Sequence, residues 1–194
     1  MKVQIGLIQR YPLLVIAFAL APSGCRMPSY DLDRIKEQLA QRPVELNRLD
    51  QLAGKWKTSG TIKFIGIDEP IHTTGTSEAA WECDGRLLVE RSQFDMGPLG
   101  PMSGLSVWSW DENKRRYGMQ WFDSFGEQTR GHARYDEDTK TWHISTRGRS
   151  SLCNVATRGT VRVIDHDTLE WTWDQWDAWG ILQFAEMRGM SQRH

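Results

Sequence analysis

Ser103–Asp123, SGLSVWSWDENKRRYGMQWFD, carries the pattern that decides the fold. Its two arms, 103–110 and 116–123, alternate apolar with polar or small residues, the two-residue period of a strand with one covered face. Trp108 and Trp110 fall on one face of the first arm. Between the arms, Asp111-Glu112-Asn113-Lys114 is turn chemistry, because short Asp and Asn side chains bond the backbone of a tight reversal.

Short runs of the same kind continue on both sides of this hairpin. Ten strands are expected, at 56–66, 71–83, 86–95, 103–110, 116–123, 127–135, 141–147, 155–164, 168–174 and 181–188. Asp84-Gly85 reads as a two-residue hairpin turn, and Asp136-Glu137-Asp138-Thr139 and Asp165-His166-Asp167 as short acidic turns. Upstream, Asp31–Gln41 puts Leu32, Ile35 and Leu39 at helical spacing. Pro43 opens a second helix carrying Val44, Leu46, Leu49 and Leu52, which Gly54 stops. Ten antiparallel strands in about 140 residues either sandwich or close, and closure alone removes adhesive edges. The expected fold is all-β: a single antiparallel up-and-down barrel of about ten strands, with short N-terminal helices plugging one end.

Gly54-Lys55-Trp56, following a short helix, resembles the G-x-W opening of lipocalins and their calycin relatives. Tyr117, Trp121, Asp123 and Gly126 in YGMQWFDSFG resemble the W-x-D-x-x-G segment of domain-of-unknown-function family 1579, as do the Trp110-Asp111 turn and the hairpin at Glu82–Arg86. The resemblance covers about residues 45–189 and implies a lipocalin-like barrel without an established activity. It also implies a late Arg packed over the first-strand Trp, for which Arg188 is the candidate partner of Trp56. A guanidinium on an indole face contributes about 0.5–2 kcal/mol. A solvated terminal charge is the other use of Arg188.

The chain of 194 residues holds 24 Lys+Arg and 25 Asp+Glu, a net charge of −1. Without a basic excess there is no general electrostatic hold on nucleic acid. An ordinary charge content beside 10% aromatics excludes wholesale disorder.

Residues 1–24 read as an export signal. Lys2 and Arg10 precede an apolar run, Tyr11–Ala21, of 11 residues, short of the ~20 that cross a bilayer. Ala21-Pro22-Ser23-Gly24-Cys25 resembles a bacterial lipobox, in which Cys25 would be acylated; Pro22 stands where an aliphatic residue is usual. Ordinary cleavage after Ala21 and an uncleaved N-terminus are the alternatives. Loss of 1–24 removes Lys2 and Arg10 and no acid, leaving 22 basic and 25 acidic residues, a net charge of −3. Arg26 after the Cys implies, by resemblance to lipoprotein sorting, the outer membrane, so the expected location is the cell envelope through a lipid anchor. The expected domains are a signal peptide at 1–24, a tether with a short helix at 25–42, and the barrel at 43–190.

Strand parity sorts the connections. Those after even strands are short and polar, at the plugged end. Those after odd strands are apolar: Ile67, Pro70 and Ile71; Met96 to Met102; Phe125; Leu152; Trp176 and Trp179. A contiguous apolar rim marks a binding mouth or an interface, although such loops can also merely cap a barrel. The candidate rim is Met96, Leu99, Met102, Phe125, Trp176 and Trp179. Parity also separates Cys83 from Cys153 by the length of the barrel, far beyond the ~7 Å of a disulfide, so both are expected as free thiols.

No G-x-S-x-G, CxxC, HExxH or phosphate-loop pattern is present. His132 and His143 are expected opposite each other, but Arg130, Arg134 and Arg147 share their face and oppose a cation, so no metal site is assigned. Ala133, Tyr135, Trp142 and Ile144 argue that the opposite face points inward. Asp123 fits a structural role bonding its own turn. No catalytic residue and no cofactor are assigned; a late-strand His for haem is lacking. The expected function is noncovalent binding of an apolar or amphipathic small molecule at the rim. The alternative is a protein-interaction module with a filled barrel.

Overall fold

The computed structural model describes residues 31–194; Cys25 and the expected signal segment lie outside them. The chain divides into two units, Met1–Gln38 and Leu39–His194. Helix α1, Leu32–Ala40, begins in the first. The Asp31 carboxylate accepts the N–H of Asp33 at 3.0 Å and so caps its start.

In the second unit a 3-10 helix, Val44–Leu52, leads into the sheet. Leu46, Leu49 and Leu52 recur every third residue, which forms one stripe at three residues per turn. All three are buried, while Val44, off that stripe, is exposed. Ten strands follow: β1 Gly54–Phe64, β2 Ile71–Glu82, β3 Leu87–Asp95, β4 Pro101–Asp111, β5 Arg116–Asp123, β6 Gln128–Asp136, β7 Thr141–Arg149, β8 Asn154–Val163, β9 Thr168–Asp177 and β10 Gln183–Arg193. Each pairs antiparallel with its neighbour, and β10 returns to β1, closing the barrel.

The expected ten strands are all present, with corrections at their ends and turns. The β2–β3 turn is four residues, 83–86, because Glu82 pairs with Leu87, and Cys83 and Asp84 as well as Gly85 take positive φ. The β6–β7 turn is 137–140, since Asp136 pairs with Thr141. Strands β9 and β10 run on to Asp177 and Arg193.

The 3-10 helix seals the barrel end at which β1 starts. Its three leucines pack in one core with Trp56, Leu88, Trp108, Tyr117 and Trp142. Polar contacts fix it there. Tyr117 Oη donates to the Glu45 carbonyl at 2.7 Å, Trp81 Nε1 to Asp50 at 2.8 Å, and Trp56 Nε1 to the Leu52 carbonyl at 3.0 Å. Inside, Trp142 meets Trp108 and Tyr117 edge-on, with ring centroids 5.6 and 4.8 Å apart.

The arginine over Trp56 is Arg193, with its guanidinium carbon 4.3 Å from the ring centroid. Arg188 is not the partner. It pairs with Thr61 in the β1–β10 ladder and its exposed side chain binds Glu186. The register explains the difference, because Trp56 lies opposite Arg193. Arg193 also donates to the carbonyls of Ala53, Gln51 and His166, tying the plug, β1 and the β8–β9 turn together. Gly54 makes room for it: a Cβ there would stand 2.1 Å from Arg193 Nη1, and its φ of +131° suits glycine. The G-x-W pattern is therefore a seat for a stacked arginine. Arg193→Ala should lower stability by about 2 kcal/mol, whereas Arg188→Ala should stay within about 0.5 kcal/mol of the parent; urea unfolding of the two variants measures both.

Candidate functional site

Strand alternation and the ladder registers place one continuous set of residues inside the barrel. From β1 the inward set begins with Trp56, and it includes Ala133, Tyr135, Trp142 and Ile144 on β6 and β7. That face points in, as the sequence argued. The two halves of the lumen differ. Toward the plugged end, inward Trp56 is 2% exposed, Trp108 5% and Trp142 0%, while Trp81, Trp110 and Tyr135, inward beside the plug helix, are half-buried. Toward the other end, inward Phe94, Met102, Trp121, Trp171, Trp173 and Met187 are only half-buried.

Glycines let these rings lie against the wall. Gly75 faces Phe94, Gly159 faces Trp173 and Gly189 faces Trp171 across adjacent strands. A Cβ on Gly159 would come within 2.2 Å of the Trp173 ring, and one on Gly104 within 2.3 Å of Trp121. The aromatic surface thus lines the wall of the half away from the plug, the wide half, where glycines replace side chains.

Polar groups are set among the rings. Ser106 Oγ donates to Glu90 at 3.0 Å. Glu127 sits in the β5–β6 connection, and Gln175 Nε2 donates to it at 2.6 Å from β9. That bond crosses the lumen, since β6, β7 and β8 separate the two elements on the wall. Burial, and then the charge of Asp123, push the Glu127 carboxyl up to about 7, and the Gln175 bond only partly offsets them. Asp123 accepts from Trp121 Nε1 at 2.9 Å and from the backbone N–H groups of Phe125 and Glu127, each at 3.0 Å. It is the turn-bonding residue expected from its position, and it also orients Trp121.

The expected rim residues fall into different environments. Leu99, Phe125 and Trp179 lie in odd-strand connections at the unplugged mouth and are exposed, Trp179 by 81%. Met102 faces the lumen from β4, paired with Phe94. Met96 is buried, not part of an exposed rim. Trp176 belongs to β9 and not to a loop. It is one residue out of phase with inward Gln175, so it lies on the outer wall, with the Arg158 guanidinium 5.5 Å from its ring. His132 and His143 share the outer face but are not opposite: His143 pairs with Arg134 and His132 with Ser145. Among the described residues no group of three His, Cys, Asp or Glu could hold a metal. Cys83 and Cys153 are free thiols.

The family model described as "Protein of unknown function (DUF1579)" matches residues 44–183. This chain belongs to DUF1579. The match spans the plug helix and the strands as far as the first residue of β10. No curated protein matches the chain. Among solved structures, Rv2717c from M. tuberculosis is 16% identical with a TM-score of 0.63, over 79% of this chain and 99% of that one. The S-type phycobiliprotein lyase CPES from Guillardia theta is 10% identical with a TM-score of 0.54, over 82% and 97%. At these identities the likeness is one of fold, and it extends the barrel of this DUF1579 member to both.

Glu90, Glu127 and Gln175 went unread in the sequence. Carrying the inward phase of β6 and β7 around all ten strands would have placed each of them inside. The Glu127 shift has a consequence for stability. Its folded-state pKa is raised, so the native state holds the extra proton between the unfolded value near 4.5 and about 7. Stability is fully present below that window and falls as pH rises through it, by roughly 3 kcal/mol at most. Urea unfolding from pH 4.5 to 8 should show this loss in the parent, while Glu127→Gln should lack that component and exceed the parent at pH 8.

Proposed function

We propose that this DUF1579 protein is a lipid-anchored envelope protein whose barrel binds an amphipathic small molecule noncovalently in the wide half of its lumen. The carrying observation is the set of half-buried inward aromatics, Phe94, Trp121, Trp171 and Trp173, backed by glycines beside Glu90 and Glu127. Burying an apolar body against those rings is favourable by about 25 cal/mol per Å², and the polar groups among them orient a head group. That a phycobiliprotein lyase shares the barrel supports a ligand-handling role. The exposed Leu99, Phe125 and Trp179 stand where a ligand would enter.

The anchor rests on the lipobox-like Ala21–Cys25 and the export signal before it. Acyl chains on Cys25 would supply the membrane affinity, about 0.8 kcal/mol per buried CH₂. The folded barrel then needs no membrane-inserting face of its own.

Titration of the intrinsic tryptophan fluorescence with a series of alkyl and aromatic amphiphiles tests the binding site. Saturable quenching is expected, weakened about tenfold or more in Trp121→Ala, which removes a wall ring, and unchanged in Trp176→Ala, whose indole lies outside. Equal loss in both variants, or no response from the parent, would overturn the site. Incorporation of labelled fatty acid into the protein in its own cells, abolished by Cys25→Ser, tests the anchor.

A further inference from the structure

The interior charge of the barrel has one sign. Among the described inward-facing residues the acids are Glu90, Asp123, Glu127 and Asp177, and the sole base, Arg193, is stacked on Trp56 at the plugged end. Two of the acids are occupied by their own turns. Asp123 takes Trp121 Nε1 and two backbone N–H groups. Asp177 takes the N–H groups of Ile181 and Leu182 at 2.7 and 3.3 Å. Glu90 and Glu127 are different: each holds one neutral side-chain donor, Ser106 or Gln175, and neither belongs to an ion pair among the described residues.

Beside each of these two carboxyls stands a buried hydroxyl without a hydrogen-bond partner. Ser92 is 2% exposed, two residues from Glu90 on the same face of β3, and its Oγ is unpartnered. Thr157 is 7% exposed, directly opposite the Gln175 that holds Glu127, and its Oγ1 is unpartnered as well. A buried hydroxyl left unbonded is unfavourable; Ser92 stands on the inner face of the strand that carries Glu90, and Thr157 on the inner face opposite Gln175.

We propose that the lumen is selective for a cationic amphiphile, an organic ammonium whose N–H groups are taken by Glu90 or Glu127 and the adjoining hydroxyls while its alkyl or aromatic body lies along Trp121, Trp171 and Trp173. This rests on the wide half of the lumen being the ligand site. A carboxylate head group would meet only acids there, and like charges repel most where water is scarce. An ammonium gains charge-assisted hydrogen bonds and the faces of three indoles.

The charged groups facing Glu127 are Asp123 at the end of β5, Asp177 along β9 and Glu90 on the β3 wall; no His, Lys or Arg faces it among the described inward residues. A bound cation favours the ionised carboxylate, so affinity should rise with pH through the titration of Glu127 near 7.

Fluorescence titrations of the full chain with decylamine, decanol and decanoate, three head groups on one alkyl chain, separate the outcomes. At pH 8 decylamine should bind at least about tenfold more tightly than decanoate, with decanol between them. Decylamine affinity should rise about tenfold from pH 6 to pH 8, while decanol affinity stays flat. Glu127→Gln should abolish that rise and bring decylamine close to decanol, and Glu90→Gln should weaken decylamine selectively. Decanoate binding as tightly as decylamine, or a decylamine affinity independent of pH in the parent, overturns the selectivity and leaves the site standing. Failure of all three probes overturns the site and the selectivity together. The head-group ranking and the pH profile of the parent need no variant, so poor folding of a mutant cannot rescue the proposal.

Discussion

Pairing of β1 with β10 is the contact on which everything else in this molecule depends. It satisfies the last open strand edge and leaves no template for another chain to join. It also forces every second residue of ten strands into a single enclosed space. What fills that space is then a matter of side-chain size and polarity, and the chain uses two opposite solutions at the two ends. One end is packed with Trp56, Trp108, Tyr117 and Trp142 under three leucines. The other combines glycine with aromatic rings that lie close against the facing strands.

Arg193 shows how the closing ladder and the plug support each other. It is the last residue of β10, yet it stacks on Trp56 near the start of β1 and donates to one carbonyl in the last turn of the plug helix and one just after it. Half-buried and multiply bonded, it differs from the exposed ion pairs on the outer wall, such as Arg162–Glu170 and Arg91–Glu82. Those gain little from charge in high dielectric. Arg193 gains from a ring face and from carbonyls that the end of the 3-10 helix leaves without partners. The barrel end is thus sealed by directional bonds as well as by leucine burial.

Elements set by local chemistry were legible in the sequence. Acidic turns, alternation and a leucine repeat needed no partner to be recognised, so all ten strands, the plug and the separation of Cys83 from Cys153 could be read directly. Features set by long-range register could not. Choosing Arg193 over Arg188 requires knowing that residue 56 lies opposite 193, across the whole chain. Trp176 and Trp179 look alike as loop tryptophans until β9 is extended to Asp177, which turns Trp176 onto the outer wall. Met96 looked exposed from its Gly- and Pro-rich surroundings, but it is buried. Family membership was carried by the W-x-D-x-x-G segment, and the structure gives that motif a physical content: Asp123 bonds both the Trp121 indole and the turn that follows.

Glu127 runs against the stability logic of the rest. A carboxyl removed from water beside another carboxylate raises the free energy of the charged native state, and a glutamine of the same shape could keep a hydrogen bond to Gln175 without that penalty. The strand ladder does not need its charge, because its backbone N–H is already held by Asp123. The unpartnered hydroxyls of Ser92 and Thr157 are equally unfavourable in the protein by itself. All three stand on the inner wall of the barrel away from the plug, whereas the plugged half is mostly apolar. Features that oppose folding and gather on one stretch of inner wall are better explained by a binding role than by the barrel's own stability.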